Sequence, residues 1–469
     1  MMNKNILKIA KLLSLFGIIF LTFSCVDDDD NGNIINGTNS IVNYMDKNPR
    51  FSLFKQLIVK AELDGVLDGN YGTYTMLAPN NDAMQTYLNE NAYDSVAQIS
   101  SDLAYDLVNY HLLEALNTES TFVTSYLSSV STVALTDSTT TNLSLLVTTE
   151  DGILFNGEVG IVEGDIDVDN GIFHEIDGVL DLPTLQTFLE ADSNFSAFYN
   201  EAINTTSDFQ DVLSSTDFHT LLVPSADAFT TFWSSANFTE EEKKQFFNYH
   251  IQDSLLTSDY LVTGYRTTHA QETIGNEDYL LNIYLNKDDG LIYNGVSYIS
   301  VQDVVATNGV IHGLDETLSL PTLADFINAD LDLINFQSSL TRTDQAGEDY
   351  INRLNTVNGT EAPFTIFAPI DTAFESALLE LYPAEAATIE DIPTDSLTSI
   401  LNNHLVTNNA YALENLPSVI NTLKSQLQIA KTDSTFTLTD AQQRSANSTS
   451  VDIKAKNGIL HKIDTLMFY

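Results

Sequence analysis

The chain has 469 residues, of which 43% are hydrophobic and 10% aromatic, enough for ordinary cores and against wholesale disorder. With 19 Lys+Arg against 65 Asp+Glu the formal charge is −46. That balance argues against a nucleic-acid partner, since phosphate binding needs a basic face, and favours solubility in salt and attraction of cations.

The first residues read as a processing signal. Lys4, Lys8 and Lys11 give a positive n-region, and Leu12 to Phe23 is an apolar run too short to span a bilayer comfortably. It leads through Ser24 into Cys25, the single cysteine, so no internal disulfide is available. A lone Cys here resembles a bacterial lipobox, with Phe23 departing from the usual small or aliphatic residue. The resemblance implies a lipoprotein signal peptide at 1–24 and acylation of Cys25; the other reading is an ordinary secretory signal cut elsewhere. Residues 25–39, with Asp27 to Asp30 and no hydrophobic period, read as an acidic flexible tether. Acids just after the Cys resemble the export signal of surface lipoproteins. They imply an outer-membrane lipoprotein exposed on the cell surface, with a periplasm-facing one as the alternative.

Three repeats follow, expected at 40–184, 185–322 and 323–469. Each opens on a helical apolar stripe: Ile41, Tyr44, Met45 in the first, Leu185, Phe188, Leu189 in the second, Leu323, Phe326, Ile327 in the third. Each then reaches an apolar run ending in Pro79, Pro224 or Pro369, which reads as a buried strand that stops there. Asn80 and Ser225 are placed to cap the next helix; in the third copy Ile370 holds that position and Asp371 is the expected cap. An amphipathic helix leads into Asn109-Tyr110-His111, Asn248-Tyr249-His250 and Asn402-Asn403-His404. Thr- and Ser-rich strands such as Thr132 to Thr149 follow. The last block is Asn170-Gly171 to Asp177, Asn308-Gly309 to Asp315, and Asn457-Gly458 to Asp464, with Asp165, Asp303 or Asp452 five residues before the Asn. Asn-Gly readily adopts the positive φ of a tight turn, so the block reads as the returning strand of a hairpin. Alternation puts Ile172, His174 and Ile176 on one face. The junctions Leu182-Pro183-Thr184-Leu185 and Leu320-Pro321-Thr322-Leu323 are identical and run straight into a helix, which predicts an elongated, stiff array with the third domain meeting partners first.

These three blocks, in order and three times over about residues 40 to 469, resemble the first conserved block, the Tyr-His motif and the second conserved block of fasciclin domains. The resemblance implies an α+β fold of three tandem domains, each a β-wedge or sandwich-like core with several helices. It also implies adhesion or contact with extracellular matrix or polysaccharide, seldom catalysis. Tyr110, His111, Tyr249, His250 and His404 correspond to the family's adhesion motif; a core role for the rings is the other reading.

Two motif histidines per domain with an Asp would suit a metal in residue type, yet no single motif has ligand spacing. Asp165, His174, Asp303, His312, Asp452 and His461 therefore read as structural, and no metal or cofactor is expected. The acidic run Asp165 to Gly171 fails the calcium-loop pattern, with Asn170 where Gly is needed and Ile176 where the bidentate Glu belongs. His219 and His269 lie outside the blocks and are given no role. No nucleophile elbow, phosphate loop or zinc-protease motif occurs. The expected function is a non-enzymatic surface lipoprotein that binds an extracellular protein or polysaccharide. The alternative is a surface glycan-processing enzyme, or a substrate-capture component of a polysaccharide uptake system, with a carboxylate pair in a cleft.

Overall fold

A computed structural model describes residues 39–468 apart from 70–72, 137, 275–276, 346–347 and 384–386. Cys25, the signal segment and nearly all of the expected tether lie outside the described residues. Among the described residues no helix is long and apolar enough to cross a membrane.

Each of the three units is α+β and begins with helices. In the first, Ile41–Lys47 and Ser52–Lys60 precede the strand Tyr74–Pro79. The helix Asn81–Glu90 comes next, capped by Asn80 accepting from the Ala83 N–H at 3.0 Å. In the third unit the helix Asp371–Leu381 has no side-chain cap. Asp371 instead accepts from the Asn335 N–H at 2.7 Å, which corrects its expected role: the carboxylate is already engaged by a neighbouring helix.

The Pro-ended strand pairs in parallel with the closing strand of its own repeat, Tyr74–Pro79 against Gly171–Ile176, and likewise in the other two. Hairpins between them complete a seven-stranded sheet in each unit. The first sheet closes into a barrel; the other two curl without closing. Both faces of the closing strand are covered, and alternation sorts its side chains between two cores. Phe173, Ile311 and Leu460 join the helix-side cores, while Ile176, Leu314 and Ile463 join the cores inside the curled sheets. Burying a side chain such as Phe173 stabilises by about 1.5–3 kcal/mol.

The hairpin before the closing strand differs from the expected turn. Val168 pairs with Gly171, so the loop is Asp169-Asn170, and none of Asn170, Asn308 and Asn457 has positive φ. The glycine is needed for a different reason. A Cβ on Gly171, Gly309 or Gly458 would stand 1.9, 2.2 or 2.3 Å from the carbonyl oxygen of Tyr74, His219 or Phe364 on the paired strand. Each asparagine is a buried clamp. Asn308 Oδ1 accepts from the Leu185 N–H at 2.9 Å while its Nδ2 donates to the Leu213 carbonyl at 3.1 Å; Asn170 and Asn457 do the same for Ile41 with Leu67 and for Leu323 with Leu354. The first helix of each repeat is thereby fixed to the last hairpin.

The joints between units also repeat. Thr184 and Thr322 cap the next helix through capping boxes. Tyr126 stacks edge-on against Phe188 at 5.5 Å and donates to Asp192 at 2.8 Å; Tyr265 does so against Phe326 at 5.2 Å and Asp330 at 3.0 Å. Asn156-Gly157 and Asn294-Gly295 are the Asn-Gly turns that do have positive φ. A Cβ on either glycine would press on Ala191 or Ala329, so each turn packs closely against the next unit's first helix.

Candidate functional site

The repeated histidines form two interior sets. In the first, His111, His250 and His404 follow a helix and donate from Nδ1 to Leu107, Phe246 and Ile400 carbonyls at 2.7–2.9 Å. Nε2 of His111 and His404 accepts from the Leu180 and Met467 N–H groups at 3.0 Å, tying the helix to the exit segment. His250 Nε2 is buried with no partner. Burial lowers all three imidazoles to about 4, so they are neutral at pH 7.

In the second set, His174, His312 and His461 donate from Nε2 to the Asn117, Leu256 and Tyr411 carbonyls at 2.8–2.9 Å. Their Nδ1 atoms accept from the N–H of Asp165, Asp303 and Asp452 at 3.2–3.4 Å. Those aspartates have positive φ in a bulge, and each carboxylate accepts from a loop N–H: Glu119, Ser258 or Leu413. Asp and His thus brace one bulge from its two ends, and both imidazole nitrogens are used by the backbone.

Tyr110 and Tyr249 are fully buried. Their hydroxyls donate to the Ser144 and Asn282 carbonyls at 2.8 and 2.9 Å and accept from Asn156 and Asn294 at 2.9 and 2.8 Å. In the third unit Asn403 replaces the Tyr and spans the gap itself, donating to the Phe468 carbonyl and accepting from Thr422 and Ser425. The five residues of the expected adhesion motif, Tyr110, His111, Tyr249, His250 and His404, lie in the core, where the other reading of the motif puts the rings. Each is 0% exposed, and a partner meeting the folded domain does not reach them. The sequence signal for this network is internal: Tyr110 and Tyr249 are each followed by an extra Asn-Gly before the closing block, Asn156-Gly157 and Asn294-Gly295, whereas Asn403 replaces the Tyr in the third repeat and the closing Asn457-Gly458 is the only Asn-Gly after it.

The two histidines outside the repeated blocks, His219 and His269, come together on the surface of the second unit. His219 begins the Pro-ended strand His219–Pro224, opposite Asp253 at the end of Ile251–Asp253. His269 lies in the bulge of the long strand Gly264–Ile274. Its Nε2 is 2.7 Å from Asp253 Oδ1, and His219 Nδ1 is 3.7 Å from the same oxygen. The two imidazoles meet edge to face at 5.6 Å.

A family model, the fasciclin domain, matches residues 49–183, 193–321 and 338–469. The chain is 24% identical to transforming growth factor-beta-induced protein ig-h3 of Sus scrofa, over 92% of this chain and 58% of that one. It is 26% identical to periostin of Homo sapiens, over 66% and 35%, and 25% identical to fasciclin-1 of Drosophila melanogaster, over 65% and 50%. It thus spans about a third to six-tenths of the length of these curated relatives. A solved FAS1 domain pair from the insect cell adhesion molecule fasciclin I aligns at TM-score 0.40 and 20% identity, covering 59% of this chain and 97% of that one. Three matched segments in succession account for most of the sequence, and the chain belongs to the fasciclin domain family.

Proposed function

We propose that the protein is a non-enzymatic adhesion protein, meeting an extracellular protein or polysaccharide through its fasciclin domains and held at a membrane by acyl chains on Cys25. The observation that carries this reading is the pair of repeated, fully bonded joints, Tyr126–Phe188–Asp192 and Tyr265–Phe326–Asp330, which support a stiff tandem of three family domains. A stiff array presents its outer surfaces at a fixed spacing, which favours multivalent contact over an enclosed active site. The family's association with adhesion supports the same reading. Cell-surface placement rests on the sequence around Cys25 and the acids after it.

Incubating purified residues 39–469 with arrays of matrix proteins and labelled glycans tests it. Retention without turnover is expected, and turnover of a glycan would favour the enzymatic alternative instead. Small-angle scattering of the same protein should report one extended, narrow shape, and a freely jointed ensemble would remove the stiff array. For the anchor, the mature protein should begin at an acylated Cys25 and Cys25→Ala should release it; unchanged membrane retention and mass would sink that part.

A further inference from the structure

Among the described residues, the second unit carries one cluster of ligating side chains outside the repeated interior networks. His219 is the fixed member: its side chain is only 9% exposed, and its buried Nδ1 has no hydrogen-bond partner. An unsatisfied buried nitrogen is a costly arrangement, of the kind kept where something else occupies the position. That nitrogen is 3.7 Å from Asp253 Oδ1, His269 Nε2 is 2.7 Å from the same oxygen, and the three residues each offer a ligand atom within 4.8 Å of the other two. The other two members can move. The Asp253 side chain is 81% exposed and that of His269 29% exposed. They stand over a cleft of about 520 Å³, which Asp208, Asp211 and Asp217 also line.

From this geometry we infer that His219, Asp253 and His269 form a binding site for a divalent transition-metal ion of the zinc class. Two imidazole nitrogens and one carboxylate oxygen are the donors such ions prefer, whereas calcium and magnesium take oxygen ligands. Bonds of about 2.0–2.1 Å in a tetrahedron place donors about 3.3 Å apart. The 3.7 Å pair is close to that spacing already, and the 2.7 Å pair opens by rotating the exposed Asp253. Metal binding displaces the proton shared between His269 Nε2 and Asp253. Asp208 is paired with Lys244 at 3.1 Å, and Asp211 and Asp217 leave the cleft with an excess of negative charge that draws cations in. One coordination position is left facing the cleft, open to water or to a donor from a binding partner.

Titration of Zn²⁺ into the metal-stripped full chain tests the site. One saturable equivalent is expected, unaffected by equal Ca²⁺ or Mg²⁺. His269→Gln at a partly exposed side chain and Asp253→Asn at an exposed one should each weaken it by at least about tenfold, the lower limit seen for losing even an outer-shell partner. Their metal-free melting curves should match that of the unsubstituted chain. Co²⁺ added to the unsubstituted chain should give the visible absorption of a four-coordinate nitrogen–oxygen site, a readout that needs no substitution. Absence of saturable Zn²⁺ binding, competition by Ca²⁺ at equal concentration, or affinity unchanged in both variants would overturn the proposal.

Discussion

The first and second units have the same strand connectivity and differ at one seam. In the first, Leu113 pairs with Ser129 and the sheet closes into a barrel. In the second, the equivalent strands Ile251–Asp253 and Gly264–Ile274 run side by side without joining the ladder, and Asp253 and His269 bridge the gap through side chains. Register matches Tyr74, Glu114 and Val130 of the first unit to His219, Asp253 and His269 of the second. Tyr74 and Val130 pack against the helix-side core. The same backbone is thus sealed by apolar contact in one copy and opened to ligating groups in the other. The third unit has Phe364 and Thr407 at the first two positions. The fold tolerates this because the Asp–His brace and the Asn clamp that every unit keeps make no use of these side chains.

The largest expected effect is at the hairpin glycines. Gly171→Ala and Gly309→Ala push a Cβ into the carbonyl of Tyr74 or His219, so the paired strands must separate. Each should cost about 4 kcal/mol or more, read by denaturant unfolding. Only Gly309→Ala should also weaken Zn²⁺ binding, because His219 moves with its strand. Equal metal binding in the two variants would break the contrast between the units.

Acid comes next and should act on all three units alike. His111, His250 and His404 have folded pKa values lowered to about 4, against roughly 6.5 unfolded. Between those values the unfolded chain binds more protons, so stability is full above about pH 6.5 and falls as pH drops toward about 4. Each histidine should remove on the order of 3 kcal/mol over that window, followed by melting temperature against pH. A flat profile from pH 7 to 4 would count against neutral buried imidazoles.

Asn308→Ala leaves the Leu185 N–H and Leu213 carbonyl without their partner, at about 1–3 kcal/mol. Hydrogen exchange should show the helix from Leu185 loosening before the sheet does. The smallest effect is Tyr249→Phe, which removes one hydroxyl between Asn282 and Asn294 for about 1 kcal/mol, with metal binding unchanged. A cost near zero would mean that a neighbouring group replaces the hydroxyl, as the Asn403 network does in the third unit.

Three repeats, their order and the α+β class were legible in the sequence because they rest on local patterns: helical stripes, Pro-ended apolar runs and hairpin signals. The Asn-Gly block marks the hairpin in the sequence, but not the reason for its glycine. Turn chemistry is local, but the clash that demands Gly171 comes from Tyr74, almost a hundred residues away in sequence. For the Tyr-His residues the sequence leaves contact and core roles both open, because family resemblance carries no burial; their place in the core follows from the sheet that later strands fold over them.

The sequence by itself determined the repeat architecture, the acidic surface and the candidate lipidation of Cys25, since each depends on residue type and spacing along the chain. Tertiary structure alone decided which histidines are sealed and which face a cleft. His219, Asp253 and His269 share no motif, and each is unremarked in its own stretch of chain. They meet because antiparallel pairing sets His219 opposite Asp253 and a bulge in the third strand turns His269 toward both, a geometry fixed by pairing register over distances that local sequence pattern does not encode.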